Sequence, residues 1–241
     1  MAQIVRVTAS EEIYQTLRSE ILSLRFKPGE ELNLQLLSEQ LQVSRSPVRD
    51  ALMRLSGDNL VDIFPQKGTR VSLIDLKQVE EERFLRKSLE EAAVKKFINI
   101  VADTHLAQME ENILLQQKAM KEENFIDFLQ ADNAFHSIIF SGIDMSRIWN
   151  LIRSQGGNHH RMRLLSFFEK NALATIIEQH QCMVGALRFK DLKEMLNLEE
   201  KHLSKLLQET ESLVLRYPHY FKKEASPRPF YMRNTYIKEL S

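Results

Sequence analysis

The run Val43-Ser44-Arg45-Ser46-Pro47-Val48-Arg49-Asp50-Ala51-Leu52 constrains the fold more than any other stretch of the chain. Ser44 or Ser46 can place a hydroxyl over the free amides that open a helix, and Pro47 then falls in the first turn, where its missing N–H costs nothing. Val48, Leu52 and Leu55 recur on one side of that helix; Ser46, Arg49 and Met53 fall on the other, with Arg45 at the exposed start. Upstream, Ile13, Leu17, Ile21 and Leu24 keep helical spacing until Lys27-Pro28-Gly29 breaks it, and a second short helix is predicted from Leu34 to about Leu41. Downstream, Leu60 to Phe64 and Thr69 to Leu73 alternate like strands around Pro65-Gln66-Lys67-Gly68, where glycine permits a turn. Three short helices followed by a β-hairpin make a winged helix-turn-helix over residues 1–77.

Charge places the working residues within this unit. Arg45 and Arg49 are positioned to donate paired hydrogen bonds to guanine in a major groove, each good pair being worth about 1–3 kcal/mol of discrimination. Ser46 suits a phosphate or a base edge, and Lys67 with Gly68 can carry the wing tip to the minor groove or backbone. Composition gives no such hint: Lys and Arg total 33 against 33 Asp and Glu. Up to residue 77 the count is again even, ten against ten. Affinity for double-stranded DNA must therefore come from local placement.

The 241 residues suffice for two units, with 43% hydrophobic and 27% charged residues. No apolar run approaches the ~20 residues of a membrane span, and Met1 to Ser10 lacks the apolar core of a signal peptide. With a single cysteine, Cys182, this predicts a cytoplasmic protein with no membrane partner. Residues 78–216 show no strand pattern and read as an all-α bundle of about six helices. Asp75 caps the first, which carries Val79, Phe84, Leu89 and Ala93. The others are expected near 103–120, 123–141, 145–168, 171–188 and 191–215, with Gly156-Gly157 interrupting the fourth. Residues 217–241, with Pro218, Pro227 and Pro229, form a non-helical tail, either an arm against a partner or disordered.

Four polar residues are predicted to converge inside the bundle. Asp132 and His136 lie one helical turn apart on a face shared with Phe128, Phe135 and Ile139. His180 and His202 each stand eleven residues from Asp191, one on either side, and Asp191 with Glu194 looks like the capping pair that opens the last helix. In an antiparallel hairpin both lie ~16 Å from the turn and meet at one level. Buried polar groups need partners. One carboxylate and three imidazoles suit a divalent metal, zinc first, with nickel and manganese also compatible. Cys182, two residues from His180, points to the opposite side. A metal-dependent hydrolase is a rival reading, but Glu178, the candidate base, lies on the wrong side of its helix. A metal-sensing regulator with no organic effector is another.

The pattern from Leu17-Arg18 through Pro28-Gly29, Leu37, Ser44-Arg45-Ser46-Pro47-Val48-Arg49, Leu60-Val61 and Gly68 resembles the GntR family of bacterial transcription factors. Asn59 stands where that family usually has glycine, and Gln35 near an often charged position. The remainder resembles the FCD effector domain of the FadR subfamily in its metal-keeping group, on Arg86-x3-Glu90, Asp132-x3-His136, Glu178 to His180 and His202-Leu203. The resemblance implies a homodimer reading a near-palindromic operator, and a small carboxylate effector held near the metal by Arg86, with Arg161 and Arg163 matching an Arg-x-Arg pair of some members. For Arg161, placed in the effector set, and for Arg163, a surface or dimer-face role is the competing expectation. The chain is thus expected to be a ligand-responsive regulator, a repressor rather than an enzyme.

Overall fold

The computed structural model describes residues 8–169 and 172–223. Thr8 caps α1 (Ala9–Leu22) by accepting from the Glu11 amide. The helix ends earlier than its apolar spacing predicts. Leu24 lies beyond it at φ 60 and packs against the cores of the helical half instead of continuing the α1 stripe. Asn33 caps α2 (Leu34–Gln40), accepting from the amides of Gln35 and Leu36. Ser44 occupies the cap position of α3 (Arg45–Gly57), although its hydroxyl makes no cap bond.

The wing pairs β2 (Val61–Phe64) with β3 (Gly68–Val71), and a two-residue strand β1 (Glu31–Leu32) adds to the other side of β3. β1 was not predicted, because two residues are too few to show alternation. At the wing tip the Lys67 amide bonds to the Phe64 carbonyl, with Pro65 and then Gln66 at φ 62 between them. Pro followed by a positive φ is a type II turn, and Gly68 at φ 96 returns the chain to the strand. Asn59, at φ 58, takes the left-handed conformation that asparagine tolerates better than most residues. Ile13, Leu17, Ile21, Val48, Leu52, Leu55 and Val71 close one core beneath these elements.

Among the described residues seven helices follow: α4 (Leu76–Ile100), α5 (Asp103–Lys121), α6 (Phe125–Gly142), α7 (Ser146–Gln155), α8 (Gly157–Ser166), α9 (Ala172–Arg188) and α10 (Leu192–Arg216). The expected fourth helix is thus two, divided at Gly156. Asp75 caps α4 and Asp191 caps α10, each accepting from amides of the first turn. On α4 the apolar reading of Phe84 is corrected: its ring is 67% exposed, whereas Glu82, Arg86 and Glu90, spaced by four, form a polar stripe turned inward. That stripe has partners from three other helices, and an aromatic ring would leave them unpaired.

A third cluster, Ile74, Val79, Met162, Leu165, Leu206, Leu213 and Phe221, joins the halves. Past α10 the chain turns at Tyr217 and lays Phe221 in a parallel bridge against Ile74. The Ile74 amide donates to the Tyr220 carbonyl at 2.8 Å and the Lys222 amide to the Ile74 carbonyl at 2.9 Å. The tail therefore begins as a strand-like strap on the linker. Asn171, Pro227 and Pro229 lie outside the described residues.

Candidate functional site

On α3 the structure leaves Arg45, Ser46 and Arg49 exposed, as it does Lys67 and Gly68 at the wing tip. Arg45 is not free: its guanidinium donates to the Gln35 side chain, which in turn donates to Glu39. Gln35 on α2 thus aims the first arginine of α3. Arg70 on β3, absent from the predicted set, is exposed beside Glu31 at 2.5 Å and adds a cation to the wing.

The second site lies inside the helical half, where Asp132 and His136 from α6, His180 from α9 and His202 from α10 are all buried. One potential ligand atom from each falls within 4.8 Å of the others. The α9–α10 hairpin brings the His180 and His202 rings to 4.9 Å between centroids, as their equal distance from Asp191 predicts. Each imidazole is held from behind. The Glu90 carboxylate faces His136 Nδ1 at 2.9 Å, Gln116 Oε1 faces His180 Nδ1 at 2.8 Å, and Gln179 Oε1 faces His202 Nδ1 at 2.9 Å. An amide oxygen only accepts, so Nδ1 of His180 and of His202 carries the hydrogen and Nε2 keeps its lone pair. The Nε2 atoms of His136 and His202 approach to 3.3 Å, and His180 Nε2 stands 3.8 Å from Asp132 Oδ1.

Two of these inward atoms, Asp132 Oδ1 and His180 Nε2, are buried with no hydrogen-bond partner. Burial pushes His180 down to about 3 and His202 well below the ordinary imidazole range, which keeps both neutral near pH 7. Asp132 goes the other way: burial works to raise its carboxyl, but the charge of Arg163 beside it outweighs that and holds it well below the carboxylate range. An ionised carboxylate with neutral imidazoles aimed at a common point is the donor set of a divalent cation.

Arginines surround this point. Asp132 Oδ2 accepts from Arg163 on α8, and Arg86 Nε donates to Glu90 at 2.5 Å. Arg86 Nη2 is buried with no acceptor. A recess of about 30 Å3 lined by Arg86, His159, Arg163 and His202 opens between them. Glu199, also missed in the sequence, is buried beside Glu90 with both carboxylate oxygens unpartnered. Burial and the charge of Glu90 push it well above the carboxylate range. Glu178 is exposed, on the side opposite the cluster, as is Cys182.

Arg161 requires a correction. It is fully buried, so it is not a surface residue, but it does not line the recess. Its guanidinium donates to the Ser72 carbonyl at 2.6 Å and to Asn158 Oδ1 at 2.9 Å, tying α8 to the chain just beyond β3. Of the predicted Arg-x-Arg pair, Arg163 faces the cluster and Arg161 faces the winged unit. The N-terminus of α8 is held by Glu82, which accepts from the His159 amide at 2.7 Å and from Asn158 at 3.1 Å. Gly157 abuts Leu60 so closely that a Cβ there would stand 2.8 Å from Leu60 Cδ2. One ten-residue helix thus touches both the cluster and the wing.

An exposed helix-turn-helix with a wing, joined to a helical domain around a buried polar cluster, defines a DNA-binding transcriptional regulator with a ligand-sensing half. The chain belongs to the GntR family of bacterial regulatory proteins: residues 9–71 match that family's model, and residues 83–205 match the model of the FCD domain. It is 26% identical over 215 residues to the HTH-type transcriptional repressor RspR of Escherichia coli (strain K12), covering 89% of this chain and 94% of that one. It is 24% identical to the gluconate operon transcriptional repressor of Bacillus subtilis (strain 168), covering 83% and 84%. The solved structure of E. coli McbR/YncC shares the fold, with a TM-score of 0.72 at 22% identity over 88% of this chain and 99% of that one. Family and relatives are regulators, not enzymes. No helix among the described residues is long and apolar enough to cross a membrane.

Proposed function

We propose that the protein is a homodimeric, cytoplasmic repressor of the FadR subfamily that reads a two-fold operator. In this reading Arg45 and Arg49 contact base edges, Ser46 contacts phosphate or a base edge, and Lys67 with Gly68 sets the wing on the backbone. Asp132, His136, His180 and His202 hold a divalent metal, zinc by donor chemistry, with nickel and manganese compatible. The metal supplies a fixed positive charge that attracts an anionic ligand group. Arg86 Nη2 and Arg163 lie where a small carboxylate receives further hydrogen bonds. The observation that carries the reading is the pair of orphaned inward atoms, Asp132 Oδ1 and His180 Nε2, amid imidazoles whose outer nitrogens are already engaged.

Helix α8 supports a coupling route. A ligand competing for Arg163 acts on the helix that also carries Arg161 and Gly157 to the winged unit. Such a ligand shifts operator affinity only by its difference in affinity for the two domain arrangements.

The recess is small, with room for a water or two, and this favours a second reading in which metal alone is the signal. Metal content by elemental analysis, followed by operator binding with metal and then with a panel of short carboxylic acids, separates the two. An acid-dependent change in affinity supports the first. Metal dependence unaffected by every acid leaves the second, and a protein that neither holds nor responds to metal refutes both.

A further inference from the structure

A second cavity, of about 220 Å3, lies outside the metal cluster, in the cleft between α1 of the winged unit and helices α6, α7 and α8. Its lining includes Arg18, Arg153 and His160, with Gln15, Ser19 and Asn133 among the polar groups, and no aspartate or glutamate. Arg18 donates to the Arg153 carbonyl at 2.9 Å, at the C-terminal end of α7, where free carbonyls favour a cation. The Arg153 guanidinium itself has no hydrogen bond or ion pair among the described residues. Desolvation and the charge of Arg18 both push its pKa down. His160 reports the same field: burial first, then Arg163, Arg18 and Arg153, push it down to about 3. The carboxylate in the adjoining smaller recess is Glu82, whose oxygens are already taken by Asn158 and His159.

Two guanidinium groups drawn together in a cleft, with neutral donors around them and no counter-charge, form a site for an anion. We propose that this cleft binds a phosphate group, free or as the monoester of a small metabolite, between Arg18 of the winged unit and Arg153 of the helical half. Phosphate fits better than a single carboxylate because its charge near −2 matches two arginines and its oxygens can accept from both sides of the cleft. The site draws on both halves, so its occupancy favours the arrangement that holds them together, separately from any ligand at the metal cluster.

Calorimetric titration of the metal-loaded, full-length protein tests this, with inorganic phosphate and glycerol 3-phosphate as probes and sodium chloride at matched ionic strength as blank. Either probe should bind the wild type, and Arg153→Gln should weaken binding at least tenfold. Arg188→Gln, which removes another exposed arginine, one that pairs with Glu110 far along the chain, should leave it unchanged. Binding of the monoester alone assigns the site to a metabolite, and equal binding of both assigns it to the phosphate group itself. Heats equal to the blank, or equal weakening by Arg153→Gln and Arg188→Gln, overturn the proposal. The Arg153 side chain is exposed and its guanidinium has no partner among the described residues, so its variant should melt like the wild type when phosphate is absent.

Discussion

Arg45 and Arg49 on α3, and Arg86 and Arg163 in the helical half, are the same side chain in opposite circumstances. The first pair stands in water, one of them steadied only by Gln35, and remains available to a partner from outside. The second pair is buried, and nearly every polar atom near it answers to another: Arg86 to Glu90, Glu90 to His136, Arg163 to Asp132 and Asn133. A surface that reads DNA can leave its charges to solvent, because water solvates them until the partner arrives. A buried site has no such reserve, so each charge must be matched inside the fold, and the few atoms left unmatched mark where a ligand belongs.

Glu82 lies between these regimes and offers the largest test. Burial pushes it up to about 7 from an ordinary 4.5, opposed by its bonds to the start of α8. Its folded pKa exceeds its unfolded one, so the folded state holds the extra proton between those values. Stability is therefore full below about 4.5 and falls as pH rises through 7, by at most about 3 kcal/mol. Chemical denaturation of wild type and Glu82→Gln from pH 5 to 8 should show that slope reduced in the variant. Identical slopes would mean Glu82 is solvated and belongs with the surface charges.

Arg49→Ala should weaken specific operator binding by about 1–3 kcal/mol while sparing metal content and melting temperature. A drop in melting temperature would erase the contrast, since it would show the exposed arginine to be structural. Gln116→Ala removes the partner of His180 Nδ1 and should cost about 10–100-fold in metal affinity without touching a ligand atom, read by competition with a chelating dye. Lys67→Ala should have the smallest effect, weakening all DNA sequences alike and lowering the salt dependence of binding by about one unit of slope.

The DNA-reading unit was legible because its signals are contiguous: cap, proline, apolar stripe and arginines fall within about three turns of chain. The convergence of the buried polar cluster was legible for a similar reason, since Asp132 and His136 are neighbours on one helix and His180 and His202 are mirrored about Asp191. What escaped was whatever depends on packing between distant elements. Glu199 looks like any charged residue of an amphipathic helix until α10 docks on α4. The opposite facings of Arg161 and Arg163 follow from two residues on a helix pointing some 200° apart, but only docking decides which faces the cluster. Phe84 was misread because a period of 3.6 cannot tell an apolar face from a polar one that is fully paired inside.

The bridge between Ile74 and Phe221 has a consequence for the order in which the molecule is built. The winged unit draws its core from residues 13 to 71, a local set that can close while the rest of the chain is still being made. The linker at Ile74 waits for a partner almost 150 positions later, beyond the last helix. During synthesis the DNA-reading half is therefore an independently mobile module until α7 and α8 have been made, and the strap at Phe221 reaches the linker only after the last helix. The module's fixed orientation is among the last features the nascent chain acquires.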